Sequence, residues 1–226
     1  MVPDELTEVA FYGREDVAAL LDEGKVPLGL DLETVEPVTW DLKKGNLLYL
    51  TDKEEQMAQF VKQIARSKQK VIVLAPAYNE LPEMEGVTIL STKEDYVAGI
   101  KKMEENIQLR LEQQKSQHEA TIVLYNQLEL MNDLSMDLQS SLNYVLEKGA
   151  RAGYATVAMS GSQLNRKIDE VSKSIKLYKQ AIVAMRITDQ SVLNVINRPV
   201  REEPLDSQVN YYVEDGFVRK VKVLMK

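Results

Sequence analysis

Five short, continuous apolar runs recur along the chain. They lie at Leu47–Leu50, Val71–Ala75, Ile122–Tyr125, Ala155–Met159 and Ala181–Met185. Apolar residues that do not alternate with polar ones indicate strands covered on both faces, which is typical of parallel sheets. The pattern therefore predicts buried strands in a mainly parallel sheet.

Helical periodicity separates these runs. In three segments apolar residues recur every three or four positions, which predicts helices with one buried face. The second helix is predicted to be long and to end near His118, and Gly149 and Gly153 are predicted to close the third. The three stripes are Met57, Phe60, Val61 and Ile64; Ile100, Met103, Ile107 and Leu111; and Leu138, Leu142, Val145 and Leu146. Strands alternating with helices predict right-handed βαβ units and a doubly wound α/β fold.

Both ends of the chain carry smaller elements. Residues 1–45 are interpreted as a lead-in segment packed on a core domain of residues 46–226. The lead-in is predicted to hold a helix and two short strands, at Glu15–Leu21, Val26–Asp31 and Val38–Asp41. Near the other end, Asp215-Gly216 lies between two β-rich runs, which is a strong signal for a terminal hairpin.

The amino-acid composition excludes several classes of ligand and catalytic site. The net charge is −7 and the pI about 5.0, which argues against a general binder of nucleic acid or anionic membranes. The absence of cysteine excludes disulfides, zinc-thiolate sites and thiol catalysis. His118 is the single histidine and is interpreted as a surface-loop residue, so most histidine-based schemes are excluded too. No apolar run approaches the roughly 20 residues that span a bilayer.

The segment Thr51–Gln56 follows the first predicted strand, where a nucleotide-binding α/β domain carries its glycine-rich phosphate loop. A phosphate loop needs glycines so that main-chain N–H groups can close on the phosphate oxygens. This segment has no glycine and contains the carboxylates Asp52, Glu54 and Glu55, which repel a polyphosphate. Thr51 and Glu54 have the spacing of a helix capping box, and Lys53 is interpreted as a solvated first-turn residue.

A second site is expected at the end of the strand Thr121–Asn126. Phosphate-loop enzymes place there an acid that holds Mg²⁺, often followed by one that polarises the attacking water. The chain has Tyr125 and Asn126 instead, so we predict an ordinary loop and neither a metal ligand nor a catalytic residue. Ser160–Gln163 after another strand is either the start of a helix or a sensor for a terminal phosphate.

For two further segments the sequence allows two interpretations each. The basic residues between Arg166 and Lys179 alternate with apolar ones, which predicts the solvated side of an amphipathic helix or, alternatively, a partner-binding face. Tyr211, Tyr212 and Phe217 on the predicted hairpin either anchor a neighbouring protein or pack under the sheet.

The order and spacing of several motifs resemble the FtsK/SpoIIIE-type ATPase modules of type VII secretion. The resemblance is greatest to the C-terminal, third module of the EssC/EccC-type membrane ATPases, and it covers nearly the whole chain. The motifs that carry it are Val26–Asp31, Gly45–Leu48, Lys148–Gly153 and Ala184–Asp189. The resemblance implies a RecA-like P-loop NTPase fold: a mainly parallel sheet flanked by helices, with a C-terminal β-hairpin.

The family's phosphate loop cannot be transferred to Thr51–Gln56, and its acid pair cannot be transferred to Tyr125 and Asn126. The resemblance nevertheless implies a function. It implies a degenerate module that recruits small helical secretion substrates and needs no cofactor. It also implies contacts with neighbouring ATPase modules, for which a hexamer is one arrangement. The parent protein would be anchored in the plasma membrane upstream of this cytoplasmic part. The alternatives are an active ATPase that uses ATP and Mg²⁺ with Lys53 as its phosphate lysine, and a DNA-translocating module, which the acidic balance opposes.

Overall fold

The computed structural model describes residues 2–224. Within this range ten strands form one sheet, in the order β2-β1-β10-β9-β8-β3-β7-β6-β4-β5. The strands are β1 (Val26–Asp31), β2 (Pro37–Trp40), β3 (Leu47–Leu50), β4 (Val71–Leu74), β5 (Val87–Leu90), β6 (Ala120–Leu124), β7 (Tyr154–Ser160), β8 (Gln180–Val183), β9 (Val209–Glu214) and β10 (Phe217–Lys222). From β8 to β5 neighbouring strands run parallel, whereas β9, β10, β1 and β2 add an antiparallel extension.

Seven α-helices lie in the described part of the chain. They are α1 (Glu8–Tyr12), α2 (Glu15–Asp22), α3 (Glu54–Ala65), α4 (Lys93–Glu112), α5 (Gln127–Asp133), α6 (Met136–Gly149) and α7 (Glu170–Ile175). Helix α3 packs on one face of the sheet, and α4 to α7 pack on the other. No helix among residues 2–224 combines the length and the apolar character needed to cross a bilayer.

The core forms where the predicted apolar stripes of the helices pack on the apolar strands. Met57, Phe60, Val61 and Ile64 of α3 are all buried against odd-numbered residues of β3 such as Tyr49. Leu48 and Leu50 point to the opposite face, where α4 and α6 supply their apolar stripes. Because both faces are covered, the parallel strands can be apolar at every position. The mainly parallel α/β architecture predicted from the sequence is confirmed.

The predicted hairpin is also confirmed. Strand β9 pairs with β10 in an antiparallel register that joins Glu214 to Phe217. Asp215 and Gly216 between them have φ values of 49° and 84°, the two positive values that a type I′ turn requires. Tyr211 and Tyr212 are buried, so they pack within the fold, whereas Phe217 is 59% exposed.

Several predicted boundaries are wrong. The long helix α4 ends at Glu112 and not near His118, because residues 113–119 turn back to enter β6. The basic segment from Arg166 to Lys179 contains only the short helix α7, so it is not one amphipathic helix: Ile168 is 80% exposed outside it. Met185 lies beyond the end of β8. The apolar pattern of the sequence does not predict α1, α5 or β5.

The lead-in segment is part of the sheet. Strand β1 pairs with β2 on one side and with β10 on the other, and α1 and α2 pack in a small apolar cluster that includes Leu30 and Leu224. The division into residues 1–45 and 46–226 stays a prediction. Residues 1, 225 and 226 of these two segments lie outside the described residues.

Candidate functional site

The parallel strands place the two sequence-predicted sites at one edge of the sheet. Strand β3 lies between β8 and β7, so the chain after β3 leaves the sheet where the strand order reverses. Doubly wound sheets bind ligands at such a point, beyond the carboxyl ends of the strands. Here the N–H of Thr51 donates to the carbonyl of Ser160 at the end of β7, at 2.9 Å. We call residues Thr51–Gln56 the β3–α3 corner.

Thr51 does not form the predicted capping box. The residue is fully buried, and its hydroxyl donates to Oε1 of Gln56 at 2.6 Å while accepting the N–H of Lys53 at 3.1 Å. The bond from Lys53 is a local turn that competes with helix capping. Helix α3 therefore begins two residues later than the box would need, with Lys53 at the N-cap and no side-chain cap bond.

Two of the three carboxylates in the corner are engaged by the rest of the protein. Oδ1 of Asp52 accepts the N–H of Ser162, just after β7, at 2.8 Å. The carboxylate of Glu54 accepts the side-chain amide of Asn79, from the loop after β4. Glu55 is exposed. Acidic side chains thus bond the corner to the segment after β7 and to the loop after β4, which is the opposite of a surface that receives phosphate oxygens.

The strand-end position is close to the corner, as the topology requires. Tyr125 directly follows β6, is 1% exposed, and its hydroxyl lies 3.4 Å from the carbonyl oxygen of Glu54. Asn126 has left-handed backbone angles and donates from Nδ2 to the hydroxyl of Tyr78 at 3.1 Å. The expectation of an ordinary loop here is wrong, because α5 starts at once with Asn126 as its N-cap.

The side chains at this strand end are uncharged, and burial keeps the two phenols so. It raises the pKa of the Tyr125 hydroxyl to about 12, and the charge of Glu54 acts in the same direction. Burial likewise raises the pKa of Tyr78, helped by the charge of Glu129. At neutral pH both phenols are therefore neutral, as is the amide of Asn126. None of these three side chains can supply the negative charge that binds Mg²⁺ or the base that accepts a proton from water.

Behind the corner lies a series of hydrogen bonds between buried side chains, which the sequence did not predict. The hydroxyl of Ser160 donates to Oε1 of Gln127 at 2.9 Å, and Nε2 of Gln127 donates to the hydroxyl of Ser172 in α7 at 3.0 Å. All three residues are fully buried. Ser160 therefore uses its hydroxyl for a structural bond, while Ser162 and Gln163 start a short 3-10 turn. The polar Gln127 so close to a buried strand was the available signal.

A cavity of about 210 Å³ opens beside the corner, between α3 and the strands on its face. Its floor is made of buried residues, and its rim carries exposed and half-buried polar ones, among them Lys53. The floor consists of Leu28, Tyr49, Phe60, Ile182, Asn210 and Leu224. Within this floor the rings of Tyr49 and Phe60 stack, with their centroids 4.8 Å apart.

Comparison with known proteins places this geometry in context. No family model matches the chain. The type VII secretion system protein EssC of Staphylococcus aureus (strain MRSA252) is 24% identical over 99% of the chain. The chain corresponds to only 16% of the length of that relative, or about a sixth.

Solved structures share the fold. EssC (ATPases 2 and 3) from Geobacillus thermodenitrificans superposes with a TM-score of 0.87 at 18% identity, over 99% of this chain and 45% of that one. The cytoplasmic domain of EssC gives 0.82 at 17% identity, over 99% and 48%. Thermomonospora curvata EccC (ATPases 2 and 3), in complex with a signal sequence peptide, gives 0.73 at 16% identity, over 100% and 44%.

The sequence match and the shared fold agree with each other over nearly the whole chain. They also agree with the mainly parallel sheet, whose order places the β3–α3 corner beside the ends of β7 and β6. The chain therefore resembles the EssC/EccC-type ATPase modules in sequence and in fold over nearly its whole length.

Proposed function

We propose that the chain is the C-terminal, third module of a type VII secretion ATPase, and that it recruits secretion substrates and supports assembly without hydrolysing ATP. The observation that carries the proposal is the β3–α3 corner. Its main-chain N–H groups at Thr51 and Lys53 are already bonded within the protein, and its Asp52 and Glu54 carboxylates are fixed in place.

The charges of the corner oppose ATP binding independently of these hydrogen bonds. Nucleotide binding depends on preorganised N–H groups, a lysine and a metal that together stabilise phosphate by several kcal/mol. The corner instead offers Asp52, Glu54 and Glu55, and the strand end offers Tyr125 and Asn126, which are neutral at pH 7. The three carboxylates repel phosphate, and the two neutral side chains carry no charge that binds Mg²⁺, so no cofactor is expected.

The alternative, an active ATPase, would need Lys53 to contact phosphate. Lys53 instead lines the cavity on the α3 face, together with residues of β1 and the C-terminal strands. Its backbone N–H is bonded to Thr51. Measurable ATP turnover that is lost in Lys53→Ala would favour the alternative over our proposal.

The cavity supports a role in substrate recruitment. Its floor is mostly apolar, and glutamines at 56, 59 and 63 follow one side of α3 beside it. At about 210 Å³ it is smaller than the roughly 300–1,000 Å³ of sites for drug-sized ligands, so we expect it to hold one or two apolar anchor side chains. The polar rim would then bond the main chain that carries them.

The comparisons supply a partner class. The structural relative EccC was solved with a signal sequence peptide, and other relatives contain neighbouring ATPase modules. For this chain we propose small helical secreted proteins with a C-terminal signal as substrates. We propose adjacent modules of the same protein as further partners, with a hexamer as one arrangement. We place the chain on the cytoplasmic side of a membrane-anchored parent and expect no nucleic-acid partner.

A substitution that fills the cavity tests this role. Val223 is half-buried on its rim, so Val223→Trp should occupy the space without removing a main-chain bond. We expect this variant to bind C-terminal peptides of exported small helical proteins at least about tenfold more weakly, as measured by fluorescence anisotropy, because an anchor side chain contributes about 1.4 kcal/mol or more.

Val200→Trp is the matched control, because Val200 is fully exposed and lies away from the cavity lining. It should bind the peptides as the unmodified chain does. Equal binding by both variants would exclude the cavity as the recognition site, and failure of the unmodified chain to bind any exported protein would contradict the recruiting role itself.

A further inference from the structure

A single carboxylate connects the β3–α3 corner with the backbone after β7. Oδ1 of Asp52 accepts the N–H of Ser162 at 2.8 Å. The same oxygen would lie 2.6 Å from a Cβ atom built on Gly161. The carboxylate therefore sits directly against the main chain of residues 161 and 162, which face the corner from the neighbouring strand end.

We propose that Asp52 is a built-in anion that takes the place of a bound phosphate and locks the corner to the end of β7 without any nucleotide. A phosphate oxygen at this edge would need main-chain N–H donors, and the N–H of Ser162 is one that points to the corner. Asp52 accepts that bond and adds a fixed negative charge. The inference rests on the proposed function, since a corner that received ATP would have to release Asp52.

Gly161 is adapted to this contact and not to a special backbone conformation. Its φ of −99° and ψ of 175° are extended values that any residue adopts. The other atoms near a Cβ at this position are Leu128 Cδ1 at 3.5 Å and the Thr51 carbonyl oxygen at 3.8 Å, both ordinary contacts. The one atom that a methyl group at position 161 would displace is the Asp52 carboxylate oxygen.

The lock reinforces a connection that already exists. The N–H of Thr51 donates to the carbonyl of Ser160, so Asp52 adds a second bond between the same two strand ends. Behind them the hydroxyl of Ser160 leads through Gln127 to Ser172 of α7. The corner is thereby held in one position relative to both β7 and α7.

A double-mutant cycle on the full chain tests the proposal. The variants are Asp52→Ala, Gly161→Ala and the two combined, and the readout is the thermal midpoint. Because loss of one charge-assisted bond shifts the midpoint of a protein of this size by about 2–4 °C, Gly161→Ala should lower it by that amount when Asp52 is present. In the Asp52→Ala background the same change should have almost no effect. Equal shifts in both backgrounds would overturn the lock.

Titration with inorganic phosphate tests the anion replacement separately. Asp52→Ala leaves the Ser162 N–H without its acceptor and removes a repelling charge, so it should bind phosphate at least about tenfold more tightly than the unmodified chain. Asp52→Glu, which keeps the charge, should not show this gain. Identical phosphate affinities of the unmodified chain and Asp52→Ala would overturn the replacement.

These results are distinguishable from a failure of the proposed function. Tight Mg·ATP binding by the unmodified chain would refute the proposed function directly. Additive effects in the cycle, with no Mg·ATP binding, would refute only the role of Asp52.

Discussion

At the residue scale, the side chains of the corner have hydrogen-bond partners that the sequence pattern does not predict. The spacing of Thr51 and Glu54 fits a capping box, but the Thr51 hydroxyl bonds Gln56 and Lys53, and Glu54 bonds Asn79. The partner Asn79 comes from the loop after β4, 25 positions along the chain. Local spacing cannot anticipate a partner that only the folded sheet brings near.

Thr51 offers a direct measurement of this local network. Thr51→Val keeps the shape of the buried side chain but leaves the Lys53 N–H and the Gln56 amide without their partner. We expect the free energy of unfolding, measured with urea, to fall by about 1–3 kcal/mol. Thr39→Val, on the half-buried edge strand β2, is the control and should change it by less than about 0.5 kcal/mol. Equal effects would show that the Thr51 hydroxyl does not hold the corner.

At the element scale, the strands and helices that the sequence predicts are those that are most buried. The β3, β4, β6, β7 and β8 runs were found because both of their faces are covered. Strand β5 was missed because it is the last strand of the sheet and only its final residue, Leu90, is buried. Helix α5 was missed because its seven residues are too few to show a clear period.

The candidate site was predictable to the same extent. The sequence located Thr51–Gln56 and Tyr125 with Asn126, and the parallel topology brings them together, with the Tyr125 hydroxyl 3.4 Å from the Glu54 carbonyl. The contact of Asp52 with Ser162 and the chain from Ser160 to Ser172 could not be predicted, because each joins residues from different strands or helices. That the site is degenerate stays a prediction.

The junction that positions β7 gives a prediction at this scale. Gly153 has a φ of 87°, and a Cβ there would lie 2.0 Å from the Gln117 carbonyl oxygen. Gly24 has a φ of 72° with nothing within 4 Å of its Cβ position. Gly24→Ala should lower the free energy of unfolding by about 1–2 kcal/mol, the cost of the left-handed backbone alone. Gly153→Ala should cost clearly more, because backbone atoms must also move.

Urea unfolding of the two glycine variants side by side makes this comparison. An equal loss in both would mean that the turn before β7 is loose enough to accept a methyl group. The close approach of Gly153 to Gln117 would then not fix where β7, and with it Ser160, begins.

At the scale of the whole molecule, the sheet has two parts with different tasks. Its parallel part has the strand ends at which doubly wound sheets bind ligands, and the antiparallel extension of β9, β10, β1 and β2 lies on the other side of β8. The α3-face cavity spans both, since Tyr49 and Ile182 belong to the parallel part and Asn210 and Leu28 to the extension. We propose that substrates bind at the boundary between the two parts, and that side chains of the β3–α3 corner close the position of the family's phosphate loop.

We propose that the β3–α3 corner does not accept a nucleotide, and isothermal titration of the 226-residue chain with Mg·ATP measures that binding itself. We expect no saturable binding up to millimolar nucleotide, because the corner presents fixed carboxylates and bonded N–H groups. Saturable binding in the micromolar range, abolished by competition with Mg·ADP, would contradict it.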